Sequence, residues 1–310
     1  MLEFTENVLL APMTTFQIGG RARYFVEVRS EDELREAIKW AKEKRIRFFV
    51  LAGGSNVLFP DEGIDGLIIR IVSQQFSFAG AELSTDAGCN LLLLVRAASA
   101  KGLGGWENLG GLPGTIGGAV RGNAGAFGKE IQNVTTKVRA LDVETGEMRE
   151  FMNDVCDFSY RHSFFKDNPE WIITRVFVQL TKVDPAESTR LIDTTIAERE
   201  KRHLQNVKAA GSFFMNPVAS KELRELFEAE KGVEARGGRV PAGWLIEKVG
   251  MKGARVGGAV ASEQHPNYLK NGGNATAADV IALAKQIKEA IQKQFGVELV
   301  EEAALIGFKE

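Results

Sequence analysis

Residues 102–128 hold 11 of the chain's 33 glycines, and no other feature limits the fold as strongly. The run Gly110-Gly111-Leu112-Pro113-Gly114-Thr115-Ile116-Gly117-Gly118 is too rich in glycine for an ordinary helix, where each glycine costs about 1 kcal/mol relative to alanine. It carries too many apolar residues for a flexible linker, and it has no period of the collagen or solenoid kind. A second cluster, Ala52-Gly53-Gly54-Ser55-Asn56, ends a short β-like run at 47–51, where the backbone must take angles that favour glycine.

The segments around these clusters read as mixed α and β. Residues 24–28 alternate as a strand. Ser30 and Glu33 then form a capping box before a helix with Leu34, Ala37, Ile38 and Ala41 on one face. Further strands are expected near 67–72, 137–143 and 171–183, with Thr145-Gly146 as a hairpin turn, and helices over 90–101 and 185–203. After Gly211 the texture changes, with helices expected at 221–231, 242–249 and 276–295, the last opened by Thr276 with Asp279 three residues on.

At 310 residues the chain is long enough for about two domains at roughly 150 residues each. Breaks are expected near 74 and near 205. Lys and Arg (39) nearly cancel Asp and Glu (41), so no surplus of positive charge favours nucleic acid or a membrane surface. The longest apolar run, near 91–95, is far short of the ~20 residues that cross a bilayer. Residues 1–6 show no secretory signal, and two cysteines, Cys89 and Cys156, fit a reducing cytosol. Three histidines without C-x-x-C or H-E-x-x-H argue against a metal site.

Glycine loops after strands commonly cradle phosphates, because their backbone N–H groups face an anion without obstruction. The common versions are missing. Gly102 and Gly104 are two apart, but position 107 is Glu, so there is no G-x-G-x-x-G. Gly128-Lys129 is followed by Glu130 and lacks the upstream glycine of a Walker A loop. A Rossmann dehydrogenase and a P-loop NTPase both lose ground. Any one of these glycines is better explained by turns or close packing; two clusters with Ser, Thr and Asn among the glycines favour diphosphate binding.

The motifs resemble a known family. Gly53-Gly54-Ser55-Asn56-Val57-Leu58, Gly111-Leu112-Pro113-Gly114-Thr115-Ile116-Gly117-Gly118-Ala119 and Asn123-Ala124-Gly125-Ala126-Phe127-Gly128 are similar to those of UDP-N-acetylenolpyruvoylglucosamine reductases. Tyr160-Arg161-His162-Ser163, Gly211-Ser212-Phe213-Phe214, Ala242-Gly243-Trp244-Leu245-Ile246-Glu247-Lys248, Ser262-Glu263-Gln264-His265, Asn267 and Asn274-Ala275-Thr276 continue the resemblance in order, over roughly residues 13–308. It implies an α+β protein with an FAD-binding fold of two α/β subdomains, of the vanillyl-alcohol-oxidase type, at 1–73 and 74–204. A C-terminal α+β substrate-binding domain follows at 205–310. It also implies a cytoplasmic flavoenzyme that uses FAD and NADPH to reduce UDP-N-acetylglucosamine enolpyruvate to UDP-N-acetylmuramate for peptidoglycan.

Carried over residue by residue, the resemblance implies cofactor contacts at Gly53, Gly54, Ser55, Asn56, Leu58, Gly111, Gly114, Thr115, Gly118, Asn123 and Gly125. Substrate contacts are implied at Tyr160, Asn216, Lys248 and Asn267. The catalytic set is Arg161 for the carboxylate, Ser212 as proton donor and Glu302. A guanidinium grips a carboxylate through two parallel hydrogen bonds, and a positioned hydroxyl can protonate carbon if its surroundings assist. Leu299-Val300-Glu301-Glu302-Ala303-Ala304 departs from the family's usual L-E-P-E-V-R, and Glu301 is one register slip from Glu302. Met215 stands where the family often has Lys, and Gln205-Asn206 replaces a usual Gln-Pro. No tyrosine lies between Arg161 and Ser212, which resembles the family form without an extra tyrosine loop. His162 and His265 read as ordinary hydrogen-bonded histidines. Two rival readings are another FAD oxidoreductase on the same scaffold and a non-catalytic flavin- or nucleotide-sugar-binding relative.

Overall fold

A computed structural model describes residues 2–202 and 206–308. The expected break at 205, the end of the helix expected at 203 and the Gln205 departure lie outside the described residues. Two compact units form: Met1–Val8, Ala22–Gly54 and Asp65–Lys201 make the first, and Leu9–Arg21, Ser55–Ile64 and Arg202–Glu310 make the second. The first seventy residues are therefore shared out rather than forming one block. Residues 9–21 and 55–64 join the C-terminal unit because their apolar side chains are needed there. Phe16, Ile18 and Leu58 are buried in one core with Phe213, Leu245 and Leu283.

The first unit holds two large sheets, of four and five strands. In the four-stranded one the order is Thr5–Leu9, Arg21–Val28, Ile64–Ile71, Phe48–Leu51, the last two parallel with Phe48 opposite Leu67. Helix α1 (Glu31–Lys44) starts where the sequence places it. Ser30 Oγ accepts from the Glu33 amide at 3.1 Å, and the Glu33 carboxylate reaches one residue further back than a capping box requires, to the Arg29 amide. The apolar face of α1 is buried with Val26, Val28, Leu67 and Ile69. The second sheet is antiparallel, in the order Met148–Met152, Thr135–Asp142, Trp171–Gln179, Glu82–Asp86, Phe76–Ala79. The strand expected over 171–183 stops at Gln179. Thr181–Lys182 pairs instead with Leu103–Gly104.

Helix α2 (Leu91–Ser99), capped by Asn90, shares a core with Leu83, Trp106, Val138 and Ile192. Against expectation, the glycine run contains a helix, α3 (Ile116–Arg121). Packing overrides propensity there: a Cβ on Gly117 would stand 2.6 Å from the Ala87 Cβ, so only glycine lets this turn lie so close. Short α4 (Phe164–Asp167) and long α5 (Pro185–Lys201) complete the unit.

The second unit surrounds the core just described with α6 (Lys221–Lys231), α7 (Ala242–Lys248), α8 (Ala277–Phe295) and a sheet of Arg255–Val256, Ala259–Ala261 and Leu269–Asn271. The Thr276–Asp279 box that opens α8 is reciprocal, both bonds at 3.0 Å. Asp61 accepts from the amides of Ala277 and Ala278, which fixes residues 55–64 to the start of α8. Ala304–Leu305 pairs in parallel with Val57–Leu58. No helix among the described residues is long and apolar enough to cross a membrane.

Both cysteines are buried, and burial pushes the Cys156 thiol up to about 12 and raises Cys89 as well. Burial thus disfavours the thiolate of both. A chromogenic disulfide reagent at pH 8 should therefore titrate no thiol in the native protein within minutes and two after denaturation.

Candidate active site

Within the first unit the two glycine clusters meet. A Cβ on Gly53 would lie 2.7 Å from the Gly114 Cα and 3.2 Å from the Thr115 nitrogen, so the backbones touch where side chains are absent. Gly54 and Gly114 have φ of 66° and 111°, which other residues take at a cost. Gly114 and Cys89 carbonyls accept from Leu91 and Ile116, which anchors the second loop to the start of α2. The amides of Gly53, Gly54, Gly114 and Thr115 donate to no acceptor among the described residues. Such amides need another acceptor, and four on touching loops suit one anion.

Other glycines of the expected cofactor set are spaced for packing. A Cβ on Gly111 would collide with the Arg199 side chain, and one on Gly125 with Glu130. Gly118 is open, with only the Ala52 and Thr115 side chains nearby. Leu58 is wholly buried in the second unit's core. In the loop between, Asn56 Nδ2 donates to the Glu302 carbonyl at 3.1 Å, and Ser55 is half-buried with its carbonyl accepting from Thr15 Oγ1.

Asn123 is fully buried and its side chain is committed to protein. Nδ2 donates to Glu130 and to the Ser159 carbonyl, and Oδ1 accepts from the Gln132 amide. It thereby fixes the turn that carries Tyr160 and Arg161. Arg161 occupies the left-handed region at φ 57°, an uncommon conformation for a long side chain. Its guanidinium lies 5.2 Å from the Tyr160 ring centroid and donates to the Gly125 carbonyl at 3.2 Å. Lys166 caps the Arg161 carbonyl, and Ser163 donates to Arg121. His162 lies between Asp157 and Asp167, at 3.6 and 3.8 Å.

In the second unit, tertiary pairing brings the other two catalytic candidates together. Phe214 pairs antiparallel with Glu301; the Met215 amide donates to Val300 O, and the Glu302 amide to Phe213 O at 2.8 Å. Ser212 is thus within one residue of the position opposite Glu302, and its hydroxyl makes no hydrogen bond to the described residues. Glu301 is bound by Lys288 of α8 through both oxygens, at 3.0 and 3.2 Å. Successive residues of an extended strand point to opposite faces, so Glu302 turns away from that ion pair. Lys288 was not singled out in the sequence; a complementary charge 13 residues from Glu301 is a faint signal.

The residues expected at the substrate are mostly tied to the protein itself. Asn267, 2% exposed, acts as a one-residue strand: Oδ1 accepts from the Phe214 amide at 3.0 Å, Nδ2 donates to the Phe214 carbonyl at 2.8 Å, and its carbonyl accepts from Phe213. Asn216 Oδ1 caps the Ala242 amide at the start of α7. Lys248 pairs with Glu230 of α6 and lies 5.8 Å from the Trp244 ring centroid. Arg239, absent from the sequence-based set, donates to the Asn216 carbonyl at 2.8 Å.

The chain matches the family model "UDP-N-acetylenolpyruvoylglucosamine reductase, C-terminal domain" over residues 202–306 and an FAD binding domain over 22–151. It is 36% identical to a UDP-N-acetylenolpyruvoylglucosamine reductase of Carboxydothermus hydrogenoformans, over 97% of this chain and 93% of that protein. The reductase of Pseudomonas aeruginosa is also 36% identical, over 98% and 99%. This chain belongs to the UDP-N-acetylenolpyruvoylglucosamine reductase family. The crystal structure of the Thermus caldophilus reductase superimposes with a TM-score of 0.79 at 31% identity, covering 98% of this chain and 99% of that one.

The FAD-binding match spans both glycine loops, and the four unpartnered amides fit the diphosphate of that cofactor. Gly53→Val would drive a side chain into Gly114, whereas a Cβ on Gly122 would meet only the Gly118 carbonyl, at 3.8 Å. After identical purification, the 450/280 nm absorbance ratio should fall severalfold for Gly53→Val and stay near the parent's for Gly122→Ala.

Proposed function

We propose that this reductase converts UDP-N-acetylglucosamine enolpyruvate and NADPH to UDP-N-acetylmuramate in the cytoplasm, with Arg161, Ser212 and Glu302 in the roles the family motifs suggest. Bound FAD supplies hydride transfer from NADPH to the enolpyruvyl double bond. What remains for the protein is to hold the carboxylate, steer the charge that develops there and deliver one proton to carbon. The observation that carries this reading is the pairing of 213–215 with 300–302, which holds Ser212, whose hydroxyl bonds to none of the described residues, within one residue of the position opposite Glu302.

Ser212 is the proton donor in this reading. Its Oγ–H, uncommitted to the described residues, passes to the carbon next to the carboxylate, and the resulting alkoxide regains a proton from water or a neighbouring acid. Glu302 accepts hydrogen bonds or opposes charge at the reacting end, a role Glu301 cannot share while Lys288 holds it. Arg161 holds the carboxylate: its planar fork matches two oxygens, and Lys would offer only a point charge. Within the first unit, the sheet bearing α1 and the sheet bearing Arg161's neighbours serve as the two halves of the FAD-binding fold.

Stopped-flow absorbance separates the two half-reactions. Ser212→Ala should leave flavin bleaching by NADPH within about twofold of the parent and slow reoxidation by the enolpyruvyl substrate by ~10²–10⁴-fold, the usual worth of a positioned general acid. A lost packing contact of about 1 kcal/mol would give only roughly fivefold. Equal slowing of both steps assigns Ser212 to structure.

Glu302→Gln should impair reoxidation, whereas Glu301→Gln should act weakly. The reverse order overturns the register. Asn267→Ala should lower the melting temperature and slow reoxidation together, since it leaves buried amide and carbonyl groups unpaired at about 1–3 kcal/mol each.

A further inference from the structure

Arg199, near the end of α5, is a buried cation without a counterion among the described residues. Only 6% of its surface is exposed, and Nε is buried without a hydrogen-bond partner. Among the described residues no carboxylate or carbonyl pairs with its guanidinium. The buried carboxylate of the same layer, Glu107, is committed elsewhere: it accepts from the Gly105 amide at 2.9 Å and from Ser188 Oγ at 2.8 Å. An arginine cannot shed its proton to escape burial, so an unpaired one is destabilising unless an anion compensates it.

The position of the side chain identifies the anion. The stem of Arg199 lies against Gly111, where a Cβ would stand 2.3 Å from Cδ and 3.1 Å from Nε. Glycine at 111 therefore admits the arginine to the loop whose Gly114 and Thr115 amides donate to nothing else among the described residues. A guanidinium packed on a loop that also carries open amides is a phosphate-binding combination, in which the amides can fix the oxygens and the fork can add charge. Arg199 follows the matched FAD-binding segment, 22–151, in sequence, and packs against it in space.

We propose that Arg199 is the charge partner of the FAD diphosphate held by the 111–115 loop. The proposal rests on the reductase reading and adds a binding residue to it. The cofactor then supplies the counterion that the described residues lack, so cofactor binding and the stability of the α5 layer are coupled.

The test uses the apoprotein of the full chain, its Arg199→Met and Arg199→Lys variants, and titrations with FAD and with riboflavin, which has the same ring but no phosphate. For Arg199→Met the FAD Kd should rise at least tenfold while riboflavin binding stays within about twofold; Arg199→Lys should fall between. The apoprotein Tm should stay level or rise, since a buried charge has been replaced by an apolar chain of similar length. The Tm increase on adding FAD should shrink.

An unchanged FAD Kd overturns the proposal. So does a lower apoprotein Tm with equal losses for FAD and riboflavin, which assigns Arg199 to packing, or a change confined to NADPH or UDP titrations. A parent protein that binds no FAD overturns the reductase reading itself.

Discussion

Two backbones can come into van der Waals contact only where neither carries a Cβ in the way, and Gly53 and Gly114 meet under that condition. The contact brings together the end of the Phe48–Leu51 strand and the loop before α3, both in the first unit. The amides on either side of it donate to no acceptor among the described residues. Amides left open in this way need an anion or water as acceptor, which makes the junction of the two loops a candidate place for a diphosphate.

The second unit solves a different problem, the placement of the candidate side chains Ser212 and Glu302. Ser and Glu have little reach, so their backbones must be fixed. Asn267 clamps Phe214 on one side, the 300–302 segment pairs on the other, and Lys288 holds Glu301 so that its neighbour faces elsewhere. Asn123 does the same for the turn bearing Arg161 in the first unit. Buried asparagines suit this work because one amide group offers both a donor and an acceptor, as a neighbouring strand does.

The helices and strands with a clear period were legible in advance, including the caps at Ser30 and Thr276, since those signals are local. The glycine run was misjudged over 116–121. Propensity argued against a helix, but the close fit of Gly117 on Ala87 required one. The division of the first seventy residues was also illegible. Which core takes Phe16 and Leu58 depends on apolar partners more than 150 residues away, and no local pattern records that.

Side-chain assignments show the same limit. Asn123, Asn216 and Asn267 sit in the motifs that the sequence singled out, yet each is engaged with backbone of its own unit. Motif resemblance identifies residue types that the site needs; it does not separate those that touch a ligand from those that hold the first group in place. The residue types and their order therefore established the cofactor class and the reaction class. The tertiary structure alone decided the pairing of Glu301 with Lys288, the clamp at Phe214 and the burial of Arg199. Those three depend on hydrogen bonds, ion pairs and contacts between segments distant in sequence, and such partners are chosen only when the chain has packed.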